Sequence, residues 1–304
     1  MNNKYKIEPV FSVIVNCRNS ERFLEPCLVS IQNQIFSDFE VIIWNNVSTD
    51  KTEMIAKEIT ELDSRFNLFS GTQALNLGAA RNMAIQKATG KYITFLDSDD
   101  LWHPNFLLHH SMILTEHNGK IFGCGNTKEI DSNFQLSQQE SYLSQNNDYV
   151  APFYMFNKLL KGNSIYMSSL VVPRSFFTSN PAFKSEYVQA EDYEIILRIS
   201  KEMKCYKIGM AYYRIHEGNK TNDQQEQLYV ETIEILRNYK GKVMALLSME
   251  LAIGRYYKFL KNQDSRNRIK KLKKLKINIF QLVFGIIFEI ALNAKKRLGS
   301  RLFS

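Results

Sequence analysis

The feature that most constrains this chain is an alternation in its first hundred residues, where short apolar runs take turns with segments of helical spacing. Phe11–Val15 reads as a strand, the apolar set Phe23, Leu24, Cys27, Leu28 and Ile31 as one helix face, and Glu40–Trp44 as a second strand. A second helix follows, with Asp50 and Glu53 placed to cap it and Met54, Ile55 and Ile59 as its buried stripe. RFNLFSG supplies a third strand, GAARNMAIQKATG a helix expected to close at Gly90, and Tyr92–Leu96 a fourth strand. This order predicts an α/β fold with a mostly parallel sheet flanked by helices, whose ligand crevice lies beyond the carboxyl ends of the strands. WNNVSTD (44–50) and LDSDD (96–100) both stand at such ends.

The second half is less regular. Residues 127–147 are polar and predict a mobile excursion suited to an acceptor-binding lid, MSSLVV (167–172) a strand, EDYEIILRIS (191–200) a helix, and residues 206–216 a hairpin or bent strand. From Asn222 onward the pattern is mostly helical. The expected organisation is therefore one domain over residues 1–220 and a C-terminal helical extension over 221–304.

Charge follows the same division. The 304 residues total +8, yet from Arg255 onward 14 Lys and Arg face only Asp264 and Glu289, so the basicity belongs to the tail. There RIKKLKKLK (268–276) feeds INIFQLVFGIIFEIAL (277–292), a stretch shorter than the roughly 20 residues a spanning helix needs and interrupted by Gln281 and Glu289. Two readings stand: a helix lying on an anionic membrane surface, or one packed on its own domain or a second subunit. Nucleic-acid binding is disfavoured because the basic run RIKKLKKLK holds no aromatic residue to serve as a stacking platform. Cys17, Cys27, Cys124 and Cys205 lack metal-ligand spacing and no signal-peptide core precedes Asn16, which predicts a cytoplasmic protein.

Acidic residues carry the chemistry. In an extended backbone Asp97 and Asp99 would point to one side, where they could share a hard divalent ion such as Mg or Mn bridging to a diphosphate; alone, DSDD is equally a solvated turn. Glu191 and Asp192 open a predicted helix, so they either complement its dipole or set a general base at the lip of a pocket. Trp102 reads as loop packing, and His109 and His110, being adjacent, are poorly spaced for a shared metal.

Taken together, SVIVNCRNSERFLEPCLVSIQNQ, VIIWNNVSTDKT, NLGAARNMAIQKATGKYITFLDSDDLW, EDYEIILR and YRIH resemble, in order and over roughly residues 9–220, the inverting family 2 glycosyltransferases with the Rossmann-like GT-A fold. The resemblance implies that Asp99 is a metal ligand, Asp97 a ribose or metal-water contact next to Ser98, and Asp192 the catalytic base, positioned by Glu191. It implies that His216 helps hold the metal or diphosphate. Asn76, Gly78 and Arg81 would lie beside the nucleotide, with Arg81 on phosphate and Gly78 allowing close approach. Asn45, Asn46 and Asp50 would face the nucleotide base. The family usually carries Asp where Asn45 stands, so preference for uridine nucleotides is least secure there. Val47 is a second departure, since a branched side chain disfavours a left-handed turn.

The activity so implied is metal-dependent (Mn or Mg) transfer of a sugar from a nucleotide-sugar donor, UDP-linked by the resemblance, to a hydroxyl of a glycan or lipid-linked acceptor. Surface polysaccharide, lipopolysaccharide or glycolipid synthesis at the inner face of the membrane is the expected setting. Two other classes compete: a nucleotidyltransferase, which would need a Gly-rich loop missing after the first strand, and a nucleotide-binding protein with a degenerate, non-catalytic site.

Overall fold

The computed structural model describes residues 8–117, 119–134, 150–178, 182–218, 224–239, 241, 243–260, 265–277 and 281–287. They fall into two compact units, one of residues 1–155 with 164–218 and one of residues 156–163 with 219–304.

The first unit is built on a nine-stranded sheet. Four strands, β1 (Phe11–Cys17), β2 (Phe39–Asn45), β3 (Phe66–Ser70) and β4 (Tyr92–Phe95), form its parallel half in the order β3-β2-β1-β4. β1 and β2 are almost continuously apolar because α1 (Leu24–Gln32), α2 (Thr52–Leu62) and α3 (Leu77–Ile85) leave neither face of the sheet to solvent. Past β4 the sheet continues through β8 (Leu170–Pro173), β6 (Ile121–Ile130), β9 (Lys204–Arg214) and β5 (Leu101–Trp102), with β7 (Val150–Phe153) also on β9. Here β4, β8 and β6 are successively antiparallel while β6 and β9 are parallel. α4 (Phe106–His117) packs on this half, and Trp102, fully buried, stacks on Phe106 at 4.3 Å.

Antiparallel β8 matters for function. Its first residue lies level with the last of β4, so the turn before it shares the crevice at the carboxyl ends of the parallel strands. The end of β9 arrives at the same place, since Arg214 donates its N–H to Asp100.

Several local expectations are corrected. In α2 the buried residues are Thr52, Ala56 and Ile59, whereas Met54 is exposed. MSS (167–169) is a 3₁₀ turn, and the strand starts at Leu170. Residues 127–130 belong to β6, while residues 135–147 of the predicted excursion lie outside those described. Residues 204–214 make one strand with Gly209 at φ +81°. Gly90 does not close α3, which ends at Ile85. A Cβ at Gly90 would stand 2.7 Å from the Phe11 carbonyl carbon and the Ser12 nitrogen, and its N–H donates to Ser12 Oγ at 2.8 Å. Glycine is there because the chain presses on the backbone of β1.

In the second unit, α5 (Phe156–Leu159) precedes α7 (Gln225–Arg237), α8 (Val243–Phe259) and α9 (Ser265–Lys274), α6 (Glu191–Glu202) belonging to the first. Residues 281–287 are helical and cross α8 closely: a Cβ on Gly285 would stand 2.2 Å from the Glu250 carbonyl oxygen, and one on Gly254 2.4 Å from that of Gly285. Val283, Phe284 and Ile287 remain exposed, as does Ile269 on α9. The rest of the apolar stretch, 278–280 and 288–292, is outside the described residues. No helix among the described residues is long and apolar enough to cross a membrane.

The contact at Gly90 makes a stability prediction. Gly90→Ala is expected to lower the unfolding free energy by roughly 3 kcal/mol through overpacking, read as a lower denaturant midpoint with an unchanged m-value. An unaltered midpoint would show that the contact yields easily.

Candidate active site

Asp97–Asp100 form a turn, not an extended segment, closed by the Asp100 N–H donating to the Asp97 carbonyl at 3.0 Å. The aspartates therefore take different partners. Asp97 accepts from Arg81 Nη2 at 2.8 Å, Asp99 Oδ2 lies 3.0 Å from His216 Nε2, and Asp100 turns inward. Asp100 Oδ2 accepts from Ser168 Oγ at 2.5 Å and Oδ1 from the Arg214 N–H at 2.9 Å. Ser98 Oγ meets Ser20 Oγ at 2.9 Å, so the neighbouring loop after β1 holds the apex of the turn. Burial, then the Asp97 charge, pushes Asp99 above the ordinary aspartate range; burial and the charges of Asp99 and Asp97 push Asp100 well above it.

Arg81 is buried on α3 and forks between two carboxylates, Asp97 and Glu191 Oε1, the latter at 3.1 Å from Nη1. Both ends of the guanidinium are engaged by carboxylates, and Arg81 joins the turn after β4 to the start of α6. Gly78 lies against the start of α6. The nearest atoms to a Cβ there would be Phe183 Cβ at 3.3 Å and Glu191 Cβ and Cγ at 3.4 Å, so its missing side chain makes room for Glu191. Asn76 caps α3, its Oδ1 accepting from the Ala79 N–H at 2.8 Å.

Burial raises Glu191 to about 7; Arg81 opposes the shift and Asp192 adds to it. Asp192 is half-buried beside it, and its Oδ1 accepts from the Tyr193 N–H at 2.6 Å. Burial raises its pKa too, against the pull of Arg81.

The loop after β2 differs from expectation in one respect. Asn45 and Asn46 are both buried, and their amides bond within the protein. Asn45 Oδ1 accepts from the Ser48 N–H at 3.1 Å while its Nδ2 donates to Glu53 Oε2 at 3.1 Å. Asn46 exchanges two hydrogen bonds with the backbone of Leu75, at 2.8 and 2.9 Å. These amides shape the loop, and Val47 between them and Ser48 takes the left-handed conformation, φ +60°, that its branched side chain disfavours. Asp50 accepts from the backbone of Glu21 and Thr52; against a burial that would raise it, these bonds hold its carboxylate below the usual range.

Sequence reasoning missed Ser168 and Arg214. Arg214 is almost fully buried, donates Nε to the Asp99 carbonyl at 2.8 Å and lies over the Phe23 ring. Its position two residues before His216 was a signal, whereas nothing in the sequence marks Ser168.

Asp99 and His216 bring a carboxylate oxygen and an imidazole nitrogen together, and Asp97 shares the turn. Among the described residues no three His, Cys, Asp or Glu side chains are grouped to hold a cation unaided. Mn and Mg commonly take one or two protein ligands and complete their shell with phosphate oxygens and water, so these residues fit such an ion in company with a diphosphate.

Comparison with known proteins gives the family and the fold. Residues 12–177 match the family described as glycosyl transferase family 2. The Escherichia coli UDP-Glc:alpha-D-GlcNAc-diphosphoundecaprenol beta-1,3-glucosyltransferase WfgD is 28% identical over 223 residues, 71% of this chain and 81% of that protein. Among solved structures, Staphylococcus aureus TarS 1–349 in complex with UDP-GlcNAc aligns over 95% of this chain and 92% of its own with TM-score 0.63 and 18% identity. The mannosyltransferase PcManGT from Pyrobaculum calidifontis, in complex with GDP-Man and Mn2+, aligns over 95% and 87% with TM-score 0.59 and 14% identity. The chain belongs to glycosyltransferase family 2 and is a glycosyltransferase of the GT-A fold.

Asn45→Asp, which would restore the family's usual residue, is expected to destabilise the loop by about 1–2 kcal/mol, because the new carboxylate would face Glu53 in place of the amide donor. The double change Asn45→Asp with Glu53→Gln should recover most of the loss in thermal unfolding. Equal melting temperatures for the single variant and the parent would rule the pairing out.

Proposed function

We propose that this family 2 glycosyltransferase transfers a sugar from a UDP-sugar to a hydroxyl of a lipid-linked glycan acceptor, with inversion, in the assembly of a surface polysaccharide, lipopolysaccharide or glycolipid. The observation that carries the reading is the Arg81 fork, which draws the Asp97–Asp99 turn and the Asp192 end of α6 to one crevice. The UDP-glucose and diphosphoundecaprenol for which WfgD is named, and the UDP-GlcNAc bound to TarS, support the donor and acceptor classes.

In this mechanism residues 1–220 are the catalytic domain. Asp192 accepts the proton of the incoming hydroxyl as its oxygen attacks the anomeric carbon, from the side opposite the leaving diphosphate. Glu191 holds Arg81, and Arg81 holds Asp97 toward the donor ribose, so one buried cation sets the spacing between base and donor. Asp99 and His216 would hold a Mn or Mg ion, which when bound neutralises charge growing on the diphosphate. The loop of Asn45, Asn46 and Asp50 forms the wall for the nucleotide base, with Asn76 and Gly78 shaping the opposite side through α3. On the 221–304 region, the exposed Lys270, Lys273 and Lys274 flank Ile269 on α9, which supports attachment to the anionic inner face of the membrane, where a lipid-linked acceptor resides.

Asp192→Asn and Asp99→Ala are each expected to lower transfer at least about a hundredfold in a screen of nucleotide-sugars with lipid-linked acceptors, with folding retained. Near-normal turnover by either would sink the assignment; nucleotide binding without transfer or hydrolysis by the parent would favour a non-catalytic binding protein. The parent rate should fall on acidification, and the fall should begin above the ordinary aspartate range, because burial raises Asp192 and only its deprotonated form accepts the proton. A rate flat down to about pH 4 would exclude Asp192 as the base.

Replacing Lys270, Lys273 and Lys274 together by Gln should weaken partition onto phosphatidylglycerol-containing vesicles about a hundredfold, at roughly 1 kcal/mol per lysine. Unchanged sedimentation with the vesicles would remove the membrane reading while leaving the catalytic one intact.

A further inference from the structure

We infer that Ser168 is a positioning residue for the metal-binding turn, acting through Asp97 and Asp100 on either side of Asp99; the inference rests on the metal reading proposed above. Ser168 sits in the 3₁₀ turn before β8, with 2% of its surface exposed. Its hydroxyl accepts the Asp97 N–H at 3.1 Å and donates to Asp100 Oδ2 at 2.5 Å, and its carbonyl accepts from Trp102 Nε1 at 2.6 Å. One hydroxyl thus closes a ring across the turn that carries Asp99.

The ring extends to the other candidate ligand. Asp100 Oδ1 takes the Arg214 N–H, and Arg214 Nε donates to the Asp99 carbonyl, two residues before His216. A continuous path therefore runs from the Asp97 amide through Ser168, Asp100 and Arg214 to the segment bearing His216. The path is buried while Asp97 and Asp99 are partly exposed, so it can set where those side chains project without touching what they bind.

Carboxylates brought together repel one another until a cation arrives, and the turn must resist that repulsion to stay ready for it. Without the Ser168 hydroxyl the Asp97 N–H loses its acceptor and Asp100 one of its two donors, so the turn is held less firmly against splaying. The cost then falls on cation binding, although no ligand has been removed. Substitutions of groups that orient metal ligands typically weaken affinity about 10- to 100-fold.

The test is titration of the purified full chain with MnCl2, alone and with UDP, by calorimetry or by the electron-spin signal of free Mn2+. For Ser168→Ala the Mn2+ dissociation constant measured with UDP should rise about tenfold or more, while UDP affinity without metal falls far less and the metal-free chain still unfolds in one cooperative transition. Ser168→Thr, which keeps the hydroxyl, should return most of the Mn2+ affinity. Should Ser168→Ala fail to fold, Asp100→Asn tests the same ring with volume unchanged and is expected to give the same rise. Parent-like Mn2+ affinity in Ser168→Ala, or in Asp100→Asn in that event, would overturn the inference. So would loss of metal-free UDP affinity in proportion, which would mark general damage. A parent chain that binds UDP but no Mn2+ would remove the metal reading and the inference with it.

Discussion

The site depends on the buried guanidinium of Arg81. Arg81 enters the interior on α3 with its guanidinium between Asp97 and Glu191, joining the carboxyl end of β4 to the amino end of α6. Burying an ion pair rarely adds net stability, but removing one partner leaves an uncompensated charge that costs roughly 3–5 kcal/mol. Such a fork therefore enforces geometry more than it stabilises the fold. Gly78 is part of the same arrangement, since a larger residue would crowd the Glu191 stem away from Arg81.

Five carboxylates, Asp97, Asp99, Asp100, Glu191 and Asp192, surround the crevice, and Arg81 and Arg214 are the guanidiniums among them. Asp99, Asp100, Glu191 and Asp192 are all raised, and burial is the largest cause in each. The sheet divides this work. Its parallel half delivers Arg81, Asp97 and the loop after β2, while the half with antiparallel neighbours brings Ser168 and Arg214 beneath the turn and His216 beside it. A site assembled from both halves depends on the pairing of β4 with β8, which sets Ser168 against Asp97.

What the sequence made legible was whatever repeats at a fixed local spacing. Apolar periodicity predicts β1 to β4 and their helices, and acids after a strand or at a helix start mark Asp97, Asp99 and Asp192. Contacts across long separations leave no such trace. Ser168 meets Asp97 across 71 residues and Arg81 meets Glu191 across 110, so nothing in either local stretch names the partner. The same limit explains Gly90, whose neighbour is the backbone of β1, and Arg81, whose basic character fits a phosphate and two carboxylates equally well. Even the aspartate pair shows it: alternation in an extended strand would aim both one way, but the chain turns at Ser98 and gives each its own partner.

The departure at Asn45 takes on a different meaning in this setting. By resemblance the position usually carries a carboxylate, and its replacement by an amide looked like the loss of a charge from the nucleotide wall. Yet Glu53, from the first turn of α2, places its carboxylate 3.1 Å from the Asn45 amide nitrogen, so the loop retains an acid close to the usual position. The amide can serve both neighbours at once, donating to Glu53 and accepting from Ser48, which a carboxylate cannot do. Charge and hydrogen-bond geometry have been separated between two residues: Glu53 carries the negative charge, and Asn45 fixes the turn that follows. That turn includes Val47 in a conformation its side chain opposes, so the bonds made by Asn45 and Asn46 on its amino side must outweigh a strain of roughly 1–2 kcal/mol. Two adjacent amides, each satisfied at both ends, are well suited to hold such a loop closed.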